Sequence, residues 1–459
     1  MTALPRLVVA APATGQGKTT IATGLMAALS RSGHEVGGHK VGPDYIDPGY
    51  HALACGRPGR NLDPHLVGEE LVVPLLLHGA RDADVAVIEG VMGLYDGRVG
   101  GRGFSSTAHV AALTRSPVVL VVDISRSSRS IGAVVHGMAT WDPSVEVAGV
   151  ILNQAGSPRH AAEVRESISL PVLGVVPRDP DLATPSRHLG LVPAAERSEA
   201  AAVVDRLAER IAETVDLAAV LDLARTAPDF PTGVLPWTAE SALISSSNPP
   251  SRLLSTRADS ASRPVVAVAG GRAFTFRYAE TAELLEAAGC QVVTFDPATD
   301  PALPDGTRGL YLGGGFPEAH AAALSENTAL RAEIRAAVLD GLPTVAECAG
   351  LLYLCRTLDG APMAGVIDAE AEMTGLTLRY PDATAVSDSL LTVAGERVTG
   401  HEFHHSTVTP SAGAAPAWEF DGVQEGFVTP TLHASYLHTH WAGHPQLARR
   451  FAERVHSHG

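Results

Sequence analysis

The sequence predicts two α/β domains in tandem, on three observations. Short apolar, β-branched runs alternate with helix-like stretches twice along the chain. A glycine- and lysine-containing loop stands between the first such run and the first helix, and a Pro-, Ser- and Thr-rich stretch at 226–262 interrupts the alternation.

In the first half, Leu7–Ala11, Val85–Glu89, Val118–Asp123 and Val147–Asn153 are nearly continuous apolar runs, as parallel strands covered on both faces require. Helix-like stretches such as Thr19–Ser32 and Arg159–Ser169 lie between them, so a doubly wound domain is expected over 1–225. Segment 226–262 has little sustained periodicity and reads as a linker. A second pattern begins at Pro264, with strand Val265–Ala269, helix Tyr278–Gly289, strands Gln291–Phe295 and Gly309–Leu312, a helix, and strand Thr344–Glu347. From about residue 370 the tail is β-rich and ends in a helix at Pro445–His456, which gives a second domain over 263–459.

Composition narrows the function classes. The 459 residues suit two to four domains at ~100–200 residues each. With 34 basic against 50 acidic residues the net charge is −16, which disfavours nucleic acid and anionic membrane surfaces as partners but leaves room for a small anion held by local donors. Hydrophobic content of 45% with 18% charged residues belongs to a folded chain. No apolar stretch reaches the ~20 residues that span a bilayer. The N-terminus superficially resembles a signal peptide, but its short apolar run leads straight into the glycine–lysine loop and reads as a buried strand. Four cysteines, Cys55, Cys290, Cys348 and Cys355, form neither a disulfide framework nor metal-like pairs, so a reducing cytoplasm is the expected location.

The loop Pro12-Ala-Thr14-Gly15-Gln16-Gly17-Lys18-Thr19-Thr20 joins strand to helix. Successive amides there can enclose a phosphate at a helix N-terminus, Lys18 can neutralise β/γ oxygens, and Thr19 can hold Mg²⁺. The segments Lys40-Val-Gly-Pro-Asp44-Tyr-Ile-Asp47 and Glu89-Gly-Val-Met-Gly-Leu-Tyr-Asp96 each follow a strand, so Lys40, Asp44 and Glu89 are expected to converge on the loop. Thr19, Asp44 and Glu89 are hard oxygen ligands suited to Mg²⁺. Asp47, placed before a proline where turn formation competes, is a secondary candidate for substrate or phosphate contact. Asn153, ending its strand, is expected to read adenine with its amide.

In the second half, Ala346-Glu347-Cys348-Ala349-Gly350 reads as strand, sharp turn and helix, the geometry of a nucleophile elbow with cysteine as nucleophile. A helix N-terminus favours the reactive thiolate, whereas Cys290 and Cys355 fit an ordinary buried core. The Gly313-Gly314-Gly315 run follows a strand, and the Gly314 and Gly315 amides are candidates for an oxyanion site. His433, His438 and His440 are candidate bases, and spacing alone does not choose among them.

His401-Glu402-Phe403-His404-His405 formally matches the HExxH zinc pattern, which works only on a helix. Its surroundings alternate as a strand does, and at ~3.3 Å per residue the two histidines would lie about 13 Å apart. The zinc reading is rejected.

Together these motifs resemble the cobyrinic/hydrogenobyrinic acid a,c-diamide synthase family of cobalamin biosynthesis, over essentially the whole chain. TGQGKTT, KVGPDYIDP and EGVMGLYDG are similar to its P-loop, dethiobiotin-synthetase-like, amide-forming domain. GGGFPE, AECAGLLYL, GHEFHHS and SYLHTHW are similar to its class I, triad-type glutamine amidotransferase domain. The resemblance implies Cys348 as nucleophile and His438 as its histidine. Other class I glutaminases carry an acid two residues after that histidine; here the position is His440, and the third member is left unassigned. A second departure is Gly270-Gly271, where the family usually has an Arg-Asp pair.

The implied reaction is ATP- and glutamine-dependent amidation of the a and c acetate side chains of hydrogenobyrinic acid, through a corrinoid acyl phosphate and ammonia carried along a guarded route. The implied partners are glutamine, ATP and the corrinoid, with Mg²⁺ as cofactor, no nucleic acid or membrane, and a homodimer permitted. One alternative is the same reaction on cobalt-containing cobyrinic acid. A more distant one is a P-loop partitioning or metallochaperone ATPase with an inactive glutaminase-like domain.

Overall fold

The computed structural model describes residues 3–179, 186–187, 190–191, 194, 199–245 and 263–458. The chain divides into two compact units, Met1–Trp237 and Thr238–Gly459.

The first unit runs β1 (Arg6–Ala10), α1 (Lys18–Arg31), β2 (Val36–Val41), α2 (Asp47–Cys55), β3 (Arg60–Leu62), α3 (Pro64–Val67), α4 (Glu69–Gly79), β4 (Val85–Glu89), α5 (Thr107–Thr114), β5 (Val118–Asp123), α6 (Ser130–Thr140), β6 (Val147–Ala155), α7 (Pro158–Glu166) and β7 (Val172–Pro177). A short ladder, β8 (Ser186–Arg187) with β9 (Gly190–Leu191), precedes α8 (Ala200–Thr214) and α9 (Leu217–Arg225). The seven main strands form one parallel sheet in the order β3-β2-β4-β1-β5-β6-β7. Every residue of β1, β2 and β4 is buried, as in strands covered on both faces, although β2 (VGGHKV) carries no apolar run. The phosphate loop leaves β1, and the segments carrying Lys40 and Glu89 lie in β2 and β4, so the sheet's carboxyl edge gathers them.

The second unit runs α10 (Ala239–Ser245), β10 (Val265–Ala269), α11 (Ala279–Ala287), β11 (Gln291–Phe295), β12 (Thr307–Leu312), a 3₁₀ turn Pro317–His320, α12 (Ala321–Glu326), α13 (Thr328–Leu339), β13 (Thr344–Glu347) and α14 (Ala349–Leu354). It continues with β14 (Thr357–Leu358), β15 (Ala361–Pro362), β16 (Glu370–Arg379), β17 (Asp382–Ala385), β18 (Arg397–Thr409), β19 (Trp418–Phe420), β20 (Val423–Glu425), β21 (Phe427–Val428), β22 (Leu432–Ser435), β23 (His438–Thr439) and α15 (Pro445–Ser457). Its central sheet has the order β11-β10-β12-β13-β22-β21, parallel except for β21. The β-rich tail is a second sheet built on the long strand β18, to which β23 adds.

The seam expected at 226–262 is folded over its described part. Arg6, fully buried, donates to Pro228 O at 2.6 Å and stacks its guanidinium 3.9 Å from the Phe230 ring centroid. These contacts tie 228–230 to the first unit, while α10 belongs to the second. Pro, Ser and Thr richness concealed two buried aromatics, Phe230 and Trp237. The rest of the seam, 246–262, lies outside the described residues. Among the described residues no helix is long and apolar enough to cross a membrane.

Candidate active sites

At the first unit's carboxyl edge, Gly17 caps α1 without any side-chain cap and turns the first helical amides toward the loop. Its φ of 87° and the position of Asn153 Nδ2, 2.2 Å from where a Cβ would stand, require glycine. Thr14 and Gly15 are exposed on the loop, Gln16 and Thr20 are half-buried, and Lys18 is buried with its Nζ donating to Met92 O at 2.5 Å.

Thr19, Lys40, Asp47 and Glu89 converge. Thr19 Oγ1 donates to Glu89 Oε1 at 2.5 Å and lies 3.2 Å from Asp47 Oδ2. Lys40 Nζ is 2.6 Å from Asp47 Oδ2, 2.9 Å from Glu89 Oε1 and 3.1 Å from Gly90 O. His51 Nε2 meets Glu89 Oε2 at 2.6 Å. Burial opposes the charge on Lys40, but Asp47, Glu89 and Asp44 outweigh it and hold the ammonium above the usual lysine range. Burial likewise works against Glu89, yet Lys40 and His51 keep it below the usual carboxylate range. Asp47 goes the other way, raised by burial, then by Asp44 and Glu89. Lys18, desolvated and facing Lys40, is lowered to about 8.

Three expectations change. Asp44 does not join this cluster through its Oδ1, which accepts the Ile46 and Asp47 amides at 2.8 and 2.9 Å and so shapes the turn into α2. Asp47, held secondary because a proline follows it, is in the first turn of α2 and is the aspartate that contacts Lys40. Asn153 directs Nδ2 to the Gln16 carbonyl at 2.9 Å, and Gln16 Oε1 accepts the Asp123 amide at 2.8 Å. Both side chains brace the loop, and one Asn153 amide N–H is committed to that brace. The third change concerns Gly314 in the second unit, whose amide bonds Phe276 O at 3.1 Å and is not turned toward an oxyanion.

In that unit, Cys348 caps α14 at φ 49° and ψ −99°, a strained turn between strand and helix that lifts the thiol out of the sheet. Its amide donates to Ser435 O at 2.8 Å, and the Gly350 amide to Gly313 O at 3.0 Å, which fix the elbow. Cys348 is hydrogen-bonded to His438. Burial alone would neutralise His438, but the bond with Cys348, joined by Glu347, raises it to about 10. A Cβ on Gly314 would stand 2.4 Å from His438 Cε1, so only glycine lets this imidazole sit against the loop. His401 stands opposite His438 in the β18–β23 register and stacks on it at 4.9 Å and 13°. His433 is buried and bonds Ser389 Oγ at 3.1 Å, while His440 stacks on Tyr278 at 4.0 Å. Of the three candidate bases, only His438 meets the thiol. His401 and His405 both lie on strand β18.

Residues 7–192 match the family model described as CobQ/CobB/MinD/ParA nucleotide binding domain, and 265–446 that of the CobB/CobQ-like glutamine amidotransferase domain. The chain is 62% identical over 467 aligned residues to a hydrogenobyrinate a,c-diamide synthase of Thermobifida fusca, covering 98% of this chain and 97% of that protein. The chain belongs to the a,c-diamide synthase family. Within this family it is 57% identical to a hydrogenobyrinate a,c-diamide synthase of Streptomyces coelicolor, covering 98% of each. It is 38% identical to a cobyrinate a,c-diamide synthase of Dehalococcoides mccartyi, covering 97% of each. As a member it is a glutamine-using amide ligase with an ATP-dependent nucleotide-binding domain.

Two residues of this family member escaped sequence reasoning. His51 stands four residues after Asp47, so the helical spacing on α2 could have placed it beside the carboxylates. Glu347 lay hidden because strand alternation directs it away from the residue that follows.

Proposed function

We propose that this chain amidates the a and c acetate carboxylates of hydrogenobyrinic acid, with Cys348 and His438 releasing ammonia from glutamine and the phosphate-loop cluster activating the carboxylate. The observation that carries the reading is the Cys348 elbow, bonded to His438, in a chain that also gathers Lys18, Thr19, Lys40, Asp47 and Glu89 at one sheet edge. The relatives at 50–62% identity are named for the metal-free acid and those at 38–43% for cobyrinic acid, which favours hydrogenobyrinic acid as substrate.

In the second unit the Cys348 thiolate attacks the glutamine carboxamide, and the amides of Gly315 and Ala349 stabilise the oxyanion. His438 gives its proton to the departing ammonia, leaving a γ-glutamyl thioester, and then takes a proton from the water that releases glutamate. In the first unit a corrinoid carboxylate oxygen displaces ADP from the γ-phosphorus of ATP, and ammonia then displaces phosphate from the acyl carbon. A carboxylate resists ammonia until its oxygen becomes a leaving group, which is why the two chemistries share a chain. The loop amides from Thr14 to Thr20 and Lys18 hold the phosphates, and Lys40 places positive charge beside the transferring group.

Thr19 Oγ1 lies within hydrogen-bonding distance of both the Asp47 and the Glu89 carboxylate, and these hard oxygens are a donor set that fits Mg²⁺. The ion would be held by those three groups and would supply charge neutralisation to the β- and γ-phosphates. A cytoplasmic location, a homodimer, and independence from nucleic acid and membrane accord with this reading. The partitioning ATPase finds less support, because the elbow and its histidine are intact.

The test replaces Cys348 with alanine. Glutamine-dependent amidation should vanish while amidation driven by added ammonium persists; retained glutamine hydrolysis would contradict the reading.

A further inference from the structure

The position two residues after the glutaminase histidine is His440, and its Nε2 is directed to Glu280 Oε2 at 3.7 Å on α11. His438 Nδ1 instead lies 3.5 Å from Glu347 Oε2. This carboxylate is held from two sides. Tyr311 OH donates to Oε2 at 3.0 Å and Thr439 Oγ1 to Oε1 at 3.3 Å, while Thr439 itself accepts the Trp441 indole N–H at 3.2 Å. Burial and Glu347 push Tyr311 far above its usual range, so it remains a neutral donor. The left-handed Cys348 backbone breaks strand alternation at this point, so consecutive side chains flank one imidazole.

We propose that Glu347, the residue immediately before the nucleophile, is the positioning carboxylate of this glutaminase, holding His438 with Nδ1 protonated and Nε2 toward the Cys348 thiol. The inference rests on the Cys348–His438 reading above. A separation of 3.5 Å suits a contact that tightens once glutamine is bound. Glu347 thus fills the role that an acid two residues after the histidine fills in other class I glutaminases. The donors Tyr311 and Thr439 prevent it from swinging away. The titratable groups facing His438 are Cys348 and Glu347 from β13 and its turn, and His401, Glu402 and His404 from β18.

The experiment measures glutamine hydrolysis against pH for the full chain and for Glu347→Gln, Glu347→Asp and Cys348→Ala. Glu347→Gln should lower kcat by up to roughly 10⁴-fold with little change in KM, as loss of the orienting acid does in hydrolase triads. Its alkaline limb should move to lower pH, because the imidazolium loses an anionic neighbour. Glu347→Asp should restore part of both, and ammonium-driven amidation should stay at the parent level. A parent-like kcat and pH profile in Glu347→Gln would overturn the inference. Should that variant fail to fold, ¹⁵N NMR of His438 in the parent chain decides: a protonated Nδ1 supports the role and a bare Nδ1 overturns it. Cys348→Ala separates the two readings. If it keeps glutaminase activity the underlying assignment falls, and if it loses activity while Glu347→Gln does not, only this inference falls.

Discussion

Lys40 and Glu89 stand opposite each other in the register of β2 and β4, and the ammonium lies 2.9 Å from Glu89 Oε1. Both are buried, so the pair is screened little by water, and removing either charge unbalances a cluster that Asp47 and His51 complete. Glu89→Gln is expected to lower amidation by roughly 10²-fold or more with either glutamine or ammonium as nitrogen source. Glutamine hydrolysis, assayed as glutamate release, should be unaffected. A variant that loses only the glutamine-driven reaction would speak against this assignment.

Asp47 and Asp44 should separate under the same substitution. Asparagine keeps the carbonyl acceptor that Asp44 offers to the Ile46 and Asp47 amides, so Asp44→Asn should stay within about tenfold of the parent. Asp47→Asn removes a charge facing both Lys40 and Thr19 and should cost about 10²-fold in ammonium-driven kcat. The reverse order of effects would restore Asp44 as the metal-side carboxylate.

Nucleotide binding should weaken as pH rises through about 8. Burial and the Lys40 charge lower Lys18 to about 8, so its cationic form prevails below that pH and is lost above it. Lys40 remains protonated throughout, since its carboxylate neighbours hold it above the usual range. Calorimetric titration of ATP between pH 7 and 9 should give a Kd that increases by up to about tenfold per unit above 8. A flat Kd would contradict the role given to Lys18.

Gly314→Ala places a methyl group 2.4 Å from His438 Cε1. Displacing the imidazole by even an ångström should lower glutamine-dependent turnover by roughly 10²-fold. Ammonium-driven amidation, measured in parallel, should not change. Undiminished glutaminase activity would mean that the ring yields without loss.

Local patterns carried much of this into the sequence. The strands Val85–Glu89, Val118–Asp123, Val265–Ala269 and Thr344–Glu347 stand where their apolar runs put them, because such runs fit strands covered on both faces, and Gln291–Phe295 stands where expected as a partly exposed edge strand. The phosphate loop and the Cys348 elbow were equally legible, each being a strand, a tight turn and a helix in a single short stretch.

What escaped was set by tertiary pairing. Which aspartate meets Lys40 depends on where α2 begins, and the Asp47-Pro48 pair reads as a turn until Pro48 is seen to occupy the first turn of that helix. The partner of Gly314 is Phe276, distant in sequence, and no local rule foretells that bridge. Asn153 looked like a base reader because its amide is versatile, yet a strand end beside the loop lets the same amide brace Gln16. The His401–His438 stack needs the β18–β23 pairing, which no motif announces.

The central claim is most directly tested by supplying purified protein with ATP, Mg²⁺, glutamine and either hydrogenobyrinic or cobyrinic acid, and following the corrinoid by mass spectrometry. The expected result is ATP-dependent conversion of hydrogenobyrinic acid to its a,c-diamide, faster than any conversion of cobyrinic acid. Equal rates on the two acids, or no amide formed on either, would contradict it.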